Sequence, residues 1–167
     1  METSKTLEIL KMAILMEKRG NAFYTKVAEQ SADPDIKHIF SIMADEEQIH
    51  IQFLSEQYSS IEKFRSFREQ PLPVPSGDGI ASMILNEDII KRISSAGFEA
   101  AAISAAIDME KKAIEIYSAQ AEETVNAHEK TLYRWLANWE KGHLKVLHEL
   151  DNELKEKIWY DNNFWPF

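Results

Sequence analysis

The sequence predicts an all-α fold, a four-helix bundle of two helix hairpins joined by a long crossover. Three observations support it: four long stretches with apolar residues at helical spacing, a composition rich in Ala, Leu, Ile, Glu and Lys, and a proline-rich interruption between the second and third stretches. A chain of 167 residues is long enough to bury a substantial core. We therefore expect one domain over residues 1–167.

The first hairpin is predicted over about residues 4–57. Its first helix covers about 4–30, where apolar residues recur at three- and four-residue steps along one face. The second helix is expected to begin at Asp33-Pro34, since an acidic N-cap followed by proline is a common helix start.

The crossover is predicted over about 59–96, because the Pro- and Gly-rich stretch 71–79 cannot be helical. Within it, 86–93 has the pattern of a short capped helix. The second hairpin is expected over about 97–157. The aromatic tail 158–167 is expected to pack on the bundle or on a second subunit.

The two halves of the chain repeat at a shift of 93 residues, without a gap over 14–56. Helix pairs that repeat in this way are expected to pack about a pseudo-twofold axis. The aligned positions include Glu17 with Glu110, Tyr24 with Tyr117, Glu47 with Glu140 and His50 with His143.

Six polar residues fall inside the predicted apolar stripes. Each half supplies one Glu on its first helix and a Glu-x-x-His motif on its second. Four buried carboxylates together would be strongly unfavourable without compensating cations. Two divalent ions would balance four glutamates and leave two neutral histidines as additional donors. The predicted metal ligands are Glu17, Glu47, His50, Glu110, Glu140 and His143.

The donor types indicate which metal to expect. Oxygen and imidazole donors suit iron, with manganese as the alternative, and the chain has no cysteine for thiolate ligation. Because residues at i and i+3 share a helix face, the Glu of each Glu-x-x-His motif could bridge two ions while the His binds one. The competing interpretation is that the six are surface glutamates and hydrogen-bonded core histidines.

This pattern resembles the ferritin-like superfamily of di-iron carboxylate proteins. The Met-Glu-Lys segments, the Tyr seven residues after each lone Glu and the internal duplication most resemble the rubrerythrin family. The resemblance implies a ferritin-like four-helix bundle with two iron ions. It further implies that Glu47 and Glu140 bridge the irons, that Glu17 and Glu110 are terminal ligands, and that each histidine binds one iron.

Two departures from the rubrerythrin pattern affect the expected chemistry. Rubrerythrins with peroxidase activity commonly have another carboxylate three residues after the lone Glu of the third helix, where this chain has Ala113. The usual rubredoxin domain is also lacking, as the absence of cysteine requires. A separate donor, a rubredoxin-like protein or a reductase, would have to supply electrons.

Other residues allow more than one interpretation. Tyr24 and Tyr117 could donate hydrogen bonds to ligand carboxylates, reduce a reactive species, or be ordinary core tyrosines. Asp45 and Glu46 could support the site from outside it, whereas Trp135 and Trp139 are expected to serve packing. The residues expected at the surface are Asp35, His38, His128 and His148.

The composition narrows the function. A net charge of −9 argues against a nucleic-acid partner, and no apolar stretch is long enough to span a membrane. Without an N-terminal signal pattern, we expect a cytoplasmic protein, as a homodimer by family resemblance. The leading hypothesis is a di-iron oxidoreductase that reduces hydrogen peroxide or dioxygen in oxidative-stress defence. The alternatives are a ferroxidase or iron-handling protein, a non-enzymatic metal scaffold and, less favoured, a hydroxylating oxygenase.

Overall fold

The computed structural model describes residues 2–74 and 97–161, and these form four helices and no strand. The first two helices pack as one hairpin, and the last two pack as another. This confirms the predicted all-α four-helix bundle. Within these residues, no helix contains a stretch long and apolar enough to cross a membrane. The helices are α1 (Glu2–Gln30), α2 (Pro34–Phe64), α3 (Phe98–Glu123) and α4 (Ala127–Asp161).

Side-chain caps begin the second helix of each hairpin. Asp33 Oδ1 accepts hydrogen bonds from the backbone N–H groups of Asp35 (2.9 Å) and Ile36 (3.2 Å), with Pro34 in the first turn of α2. Asn126 Oδ1 accepts equivalent bonds at 2.9 and 3.2 Å at the start of α4. These bonds satisfy backbone donors that have no partner within the helix. The predicted start at Asp33-Pro34 is confirmed.

The second helix is longer than predicted. The crossover does not begin near residue 59, because α2 continues to Phe64, and the buried side chain of Ile61 anchors this additional turn in the core. The helix ends where Arg65 adopts a left-handed conformation (φ 58°) and its N–H bonds to the Ile61 carbonyl. Helix α4 likewise extends past residue 157 to Asp161. The predicted short helix at 86–93 and tail residues 162–167 lie outside the described residues.

The first part of the crossover is attached to the bundle by side-chain hydrogen bonds. The Gln57 amide accepts from the Arg68 backbone N–H (2.9 Å) and donates to the Arg68 carbonyl (3.1 Å). Trp135 Nε1–H donates to the Pro73 carbonyl at 2.9 Å. These contacts provide hydrogen-bond partners for backbone groups that lie outside the helices, and they hold this segment against α2 and α4.

Two apolar clusters fill the bundle, one toward each end. One joins the end of α1 and the start of α2 to the start of α3 and the end of α4, and it includes Phe40, Ile103 and Leu150. The other joins the opposite halves of the same helices and includes Leu10 and Tyr133. Along every helix, a short segment between the clusters remains, and the predicted metal ligands lie in it.

Candidate metal centre

The structure brings all six predicted ligands together in the middle of the bundle. Each is at most 3% exposed, so the set is as buried as the apolar core around it. The helical repeat explains this convergence, because each ligand lies on the stripe that faces the bundle axis. Helix α1 carries Glu17, α2 carries Glu47 and His50, α3 carries Glu110, and α4 carries Glu140 and His143.

The six residues form two overlapping groups of four donors. Within each group, one donor atom from every residue lies within 4.8 Å of the others, close enough to surround one ion. Glu47 and Glu140 belong to both groups, so their carboxylates lie between the two positions. The first group is Glu17, Glu47, His50 and Glu140; the second is Glu47, Glu110, Glu140 and His143.

The first group is organised around Nδ1 of His50. This atom lies 2.8 Å from Glu17 Oε2, 3.3 Å from Glu47 Oε2 and 3.2 Å from Glu140 Oε1. Three carboxylates from three helices therefore approach one ring nitrogen.

Nδ1 of His143 has the corresponding position in the second group. It lies 3.0 Å from Glu140 Oε2, 3.3 Å from Glu110 Oε1 and 3.6 Å from Glu47 Oε1. In both halves the same ring nitrogen is turned toward the carboxylates, as the repeat predicts.

Burial and crowding change the protonation of this cluster when it holds no cation. Burial, reinforced by the neighbouring charge of Glu47, raises the pKa of Glu17 to about 8. Burial and the charge of Glu140 raise the pKa of Glu110 to about 8 in the same way. Burial alone would lower the pKa of His50, but its carboxylate neighbours raise it well above the usual value. In the metal-free cluster, bound protons thus supply the positive charge that metal ions would otherwise provide.

Several buried polar atoms are placed as a cation would need them. Both carboxylate oxygens of Glu140 and Nδ1 of His143 have no hydrogen-bond partner among the described residues. Orphaned atoms of this kind are rare in a folded core. Both residues belong to the candidate donor groups, and the six residues fit a pair of divalent ions with oxygen and imidazole ligands.

Comparison with known protein families agrees with this geometry. A model of the rubrerythrin family matches residues 8–151, most of the chain and all six candidate ligands. The chain belongs to the rubrerythrin family. Searches of curated proteins and of solved structures gave no match.

Tyr24 and Tyr117, two of the buried tyrosines, each hydrogen-bond to the lone glutamate of the other hairpin. The Tyr24 hydroxyl donates to Glu110 Oε1, and the Tyr117 hydroxyl donates to Glu17 Oε1. Each hairpin thereby orients a candidate ligand of the other hairpin. Of the roles considered from the sequence, donation to a carboxylate is the one that the structure shows. Burial first, then the nearby carboxylates, raise the pKa of both tyrosines well above the usual value, so both hydroxyls keep their protons at neutral pH.

Glu46 and Trp139 have polar contacts at the site that the sequence did not settle. Glu46 Oε2 accepts a hydrogen bond from His143 Nε2–H at 2.7 Å and another from Trp139 Nε1–H at 3.0 Å. Glu46 is buried, whereas Asp45 is exposed. Trp139, expected to serve packing alone, is also a hydrogen-bond donor. In the sequence, the repeat marks this pair, because it aligns Glu46 with Trp139.

The histidines outside the cluster lie away from the centre. His38 and His128 are exposed as predicted, whereas His148 and Asp35 are half-buried rather than fully at the surface. None of the four joins a candidate ligand group among the described residues.

A cleft of about 650 Å³ connects the site of this rubrerythrin with the surface between α1 and α3. Its walls are mostly apolar and include Met16 and Met109, and the carboxylates of all four candidate glutamate ligands line it. Gly20 and Ala113, which align in the repeat, both line this cleft. Neither position carries a side chain larger than a methyl group.

Proposed function

We propose that the protein is a cytoplasmic di-iron oxidoreductase that reduces hydrogen peroxide or dioxygen, with a role in oxidative-stress defence. The observation that carries the proposal is that two donor groups share Glu47 and Glu140. Carboxylates shared between two positions would suit a pair of metal ions. The four glutamates balance two divalent ions in charge.

The proposed ligand roles follow from membership of the two groups. Glu47 and Glu140 would contribute to both ion positions. Glu17 and His50 would complete one position, and Glu110 and His143 would complete the other. Iron fits the donors and the family, with manganese as the alternative. A bound iron pair supplies the two electrons that convert hydrogen peroxide and two protons into two water molecules.

The protein's own residues contribute access, exclusion of water and protons. The cleft admits a small oxidant to the carboxylates, while the apolar clusters on both sides keep bulk water from the centre. Tyr24 and Tyr117 hold hydroxyl protons at the candidate ligands Glu110 and Glu17. Because Ala113 replaces the further carboxylate of family peroxidases, we do not extend their ligand-switching chemistry to this chain.

The electrons would come from outside these 167 residues, from a rubredoxin-like protein or a reductase. The 167 residues contain no cysteine, so they hold neither a thiolate-ligated iron nor a dithiol. The donor has to approach within electron-transfer distance of the bundle centre.

Stopped-flow oxidation tests the proposal directly. The protein is loaded anaerobically with two equivalents of Fe²⁺ and mixed with hydrogen peroxide or with dioxygen. We expect oxidation much faster than that of free Fe²⁺ in the same buffer, and the ratio of the two rates identifies the physiological oxidant. Loaded protein that reacts no faster than the free ion would contradict the oxidoreductase function and leave a metal scaffold.

A ferroxidase or iron-handling role is the second candidate, because the cleft lined by the four glutamates could also admit Fe²⁺. The two roles differ in the fate of iron under excess Fe²⁺ and dioxygen. A ferroxidase accumulates ferric product beyond two equivalents per chain, whereas an oxidant reductase does not. Gel filtration adds a second criterion, because the homodimer that we propose is far smaller than a 24-subunit storage shell.

A further inference from the structure

The two histidines of the centre have equivalent carboxylate contacts at Nδ1 and different contacts at Nε2. Nε2–H of His143 donates to the buried carboxylate of Glu46 at 2.7 Å. Nε2 of His50 is buried and has no hydrogen-bond partner among the described residues. Two indoles pack against the His50 ring in T-shaped contacts instead, Trp135 at 5.3 Å and Trp139 at 4.6 Å between ring centroids.

The internal repeat shows where this asymmetry originates. Glu46 immediately precedes Glu47 on α2, and its side chain reaches across to the histidine of the second hairpin. The repeat-related position, immediately before Glu140 on α4, is Trp139. Trp139 contacts the histidine of the first hairpin but offers it no hydrogen-bond acceptor, and its own N–H donates to Glu46. The ligand set is therefore symmetric while its support is not.

The supporting contact changes how well an imidazole binds a cation. A histidine that donates one ring N–H to a carboxylate is fixed in tautomer and orientation, and its other nitrogen becomes a stronger donor. The tautomer with hydrogen on Nε2 leaves the Nδ1 lone pair directed at the carboxylate cluster. His143 gains this support from Glu46, whose side chain also places a further acidic group near that ion position. Across residues 2–74 and 97–161, no carboxylate supports Nε2 of His50 in this way.

We propose that Glu46 and Trp139 make the two metal positions unequal, so that the position of Glu110 and His143 binds its ion more tightly and fills first. Glu46 is a positioning residue in this arrangement, because it acts on the metal through His143. The proposal deepens the proposed function and rests on the same metal centre. It concerns binding order and needs no turnover.

Anaerobic titration with Co²⁺, followed by calorimetry and by the visible absorption of the bound ion, measures the two positions. We expect two binding steps in the wild-type protein. Glu46→Gln keeps the size of the side chain and should weaken the tighter step by roughly 10- to 100-fold, while the weaker step stays within about twofold. Trp135→Phe is the matched control, since Trp135 also contacts His50 but does not bond to Glu46. It should leave the tighter step unchanged.

A double-mutant cycle assigns the tighter step to His143. Glu46→Gln should keep its full effect in a His50→Gln background and lose it in a His143→Gln background, because Glu46 is hydrogen-bonded to His143. If a histidine variant does not fold, Mössbauer spectra of the ⁵⁷Fe²⁺-loaded wild-type and Glu46→Gln proteins replace the cycle. Two resolved doublets, of which one moves, would support the proposal.

The possible failures are distinguishable. Two equal binding steps, or an equal loss at both steps in Glu46→Gln, would overturn the inequality and leave the di-metal function intact. A wild-type protein that binds no Co²⁺ and no Fe²⁺ would overturn the proposed function together with this inference.

Discussion

The two hairpins supply the same donors to the centre but surround them differently. Glu17, Glu47 and His50 of the first hairpin match their repeat partners in residue type, in burial and in the ring nitrogen turned toward the carboxylates. Two pairs of neighbouring positions do not match, since Glu46 aligns with Trp139 and Gly20 with Ala113. Within this chain, then, the donor set and its two tyrosine contacts are duplicated, while other residues beside the donors differ between the halves.

Replacing either glutamate shared by the two donor groups should have the largest effect, and it should weaken metal binding at both positions. Glu140→Gln and Glu47→Gln each remove a charge that both donor groups share. We expect each variant to weaken the binding of both ions by more than about 100-fold, because replacing even a supporting residue typically costs roughly 10- to 100-fold. Equilibrium dialysis against Fe²⁺ under anaerobic conditions measures the loss.

Glu129→Gln is the matched control for these variants. Glu129 is also a buried glutamate, but it accepts hydrogen bonds from Thr6 and Thr124 at the end of the bundle and belongs to neither donor group. Its replacement should leave two ions bound. If Glu140→Gln bound iron as tightly as Glu129→Gln, the shared carboxylates would not be ligands.

The pH dependence of stability should reveal the protonated ligands that both halves of the metal-free protein share. In the folded metal-free protein the pKa values of Glu17 and Glu110 are raised to about 8 by burial and neighbouring charge, from an ordinary value of 4.5. Between these values the folded state binds more protons than the unfolded state, so stability falls as pH rises. The raised pKa values of His50 and His143 act in the same direction above their ordinary value of 6.5.

We therefore expect the Tm of the metal-free protein to fall by at least about 5 °C between pH 5.5 and pH 8.5. Bound metal requires deprotonated ligands, so metal affinity should rise over the same range. The increase in Tm that Fe²⁺ or Co²⁺ gives should accordingly be larger at pH 8.5 than at pH 5.5. Scanning calorimetry of both forms measures this, and a metal-free Tm that rises with pH would contradict the protonated cluster.

The fold and the convergence of the six candidate ligands were predictable because both follow from periodicity. A helix whose stripe contains an acidic residue must bury it beside the stripes of its neighbours, and the shift of 93 residues related the two hairpins. The end of α2 was less predictable. Ile61 continues the apolar stripe past the polar Ser59 and Ser60, and the left-handed turn at Arg65 has no glycine to signal it.

The supports of the centre were not predictable in the same way, because they depend on contacts between hairpins. Glu46 neighbours the ligand stripe in sequence, and only the packing of α2 against α4 turns it toward His143 and Trp139. The crosswise bonds of Tyr24 and Tyr117 likewise join α1 to α3. Periodicity gives the face of a helix on which a residue lies, but not the partner it meets there.

Substitutions at two glycines should have the smallest effects, and they test selectively how closely α1 packs against Glu47. Gly20 is buried in α1, and an added Cβ would lie 3.2 Å from Cδ and 3.3 Å from Oε1 of Glu47. Gly142 lies exposed in α4, with nothing within 4 Å of an added Cβ.

Replacing glycine by alanine inside a helix stabilises the folded protein by about 1 kcal/mol. Gly142→Ala should therefore raise Tm by about 2–4 °C and leave metal binding unchanged. Gly20→Ala has the same gain in helix propensity but must displace the carboxylate of Glu47 by a few tenths of an ångström. We expect it to stabilise the metal-free protein less than Gly142→Ala does and to weaken metal binding by a few-fold. Equal effects of both substitutions on Tm and on metal affinity would show that the Glu47 side chain can shift without cost. The close approach of α1 would then not determine the position of the Glu47 carboxylate.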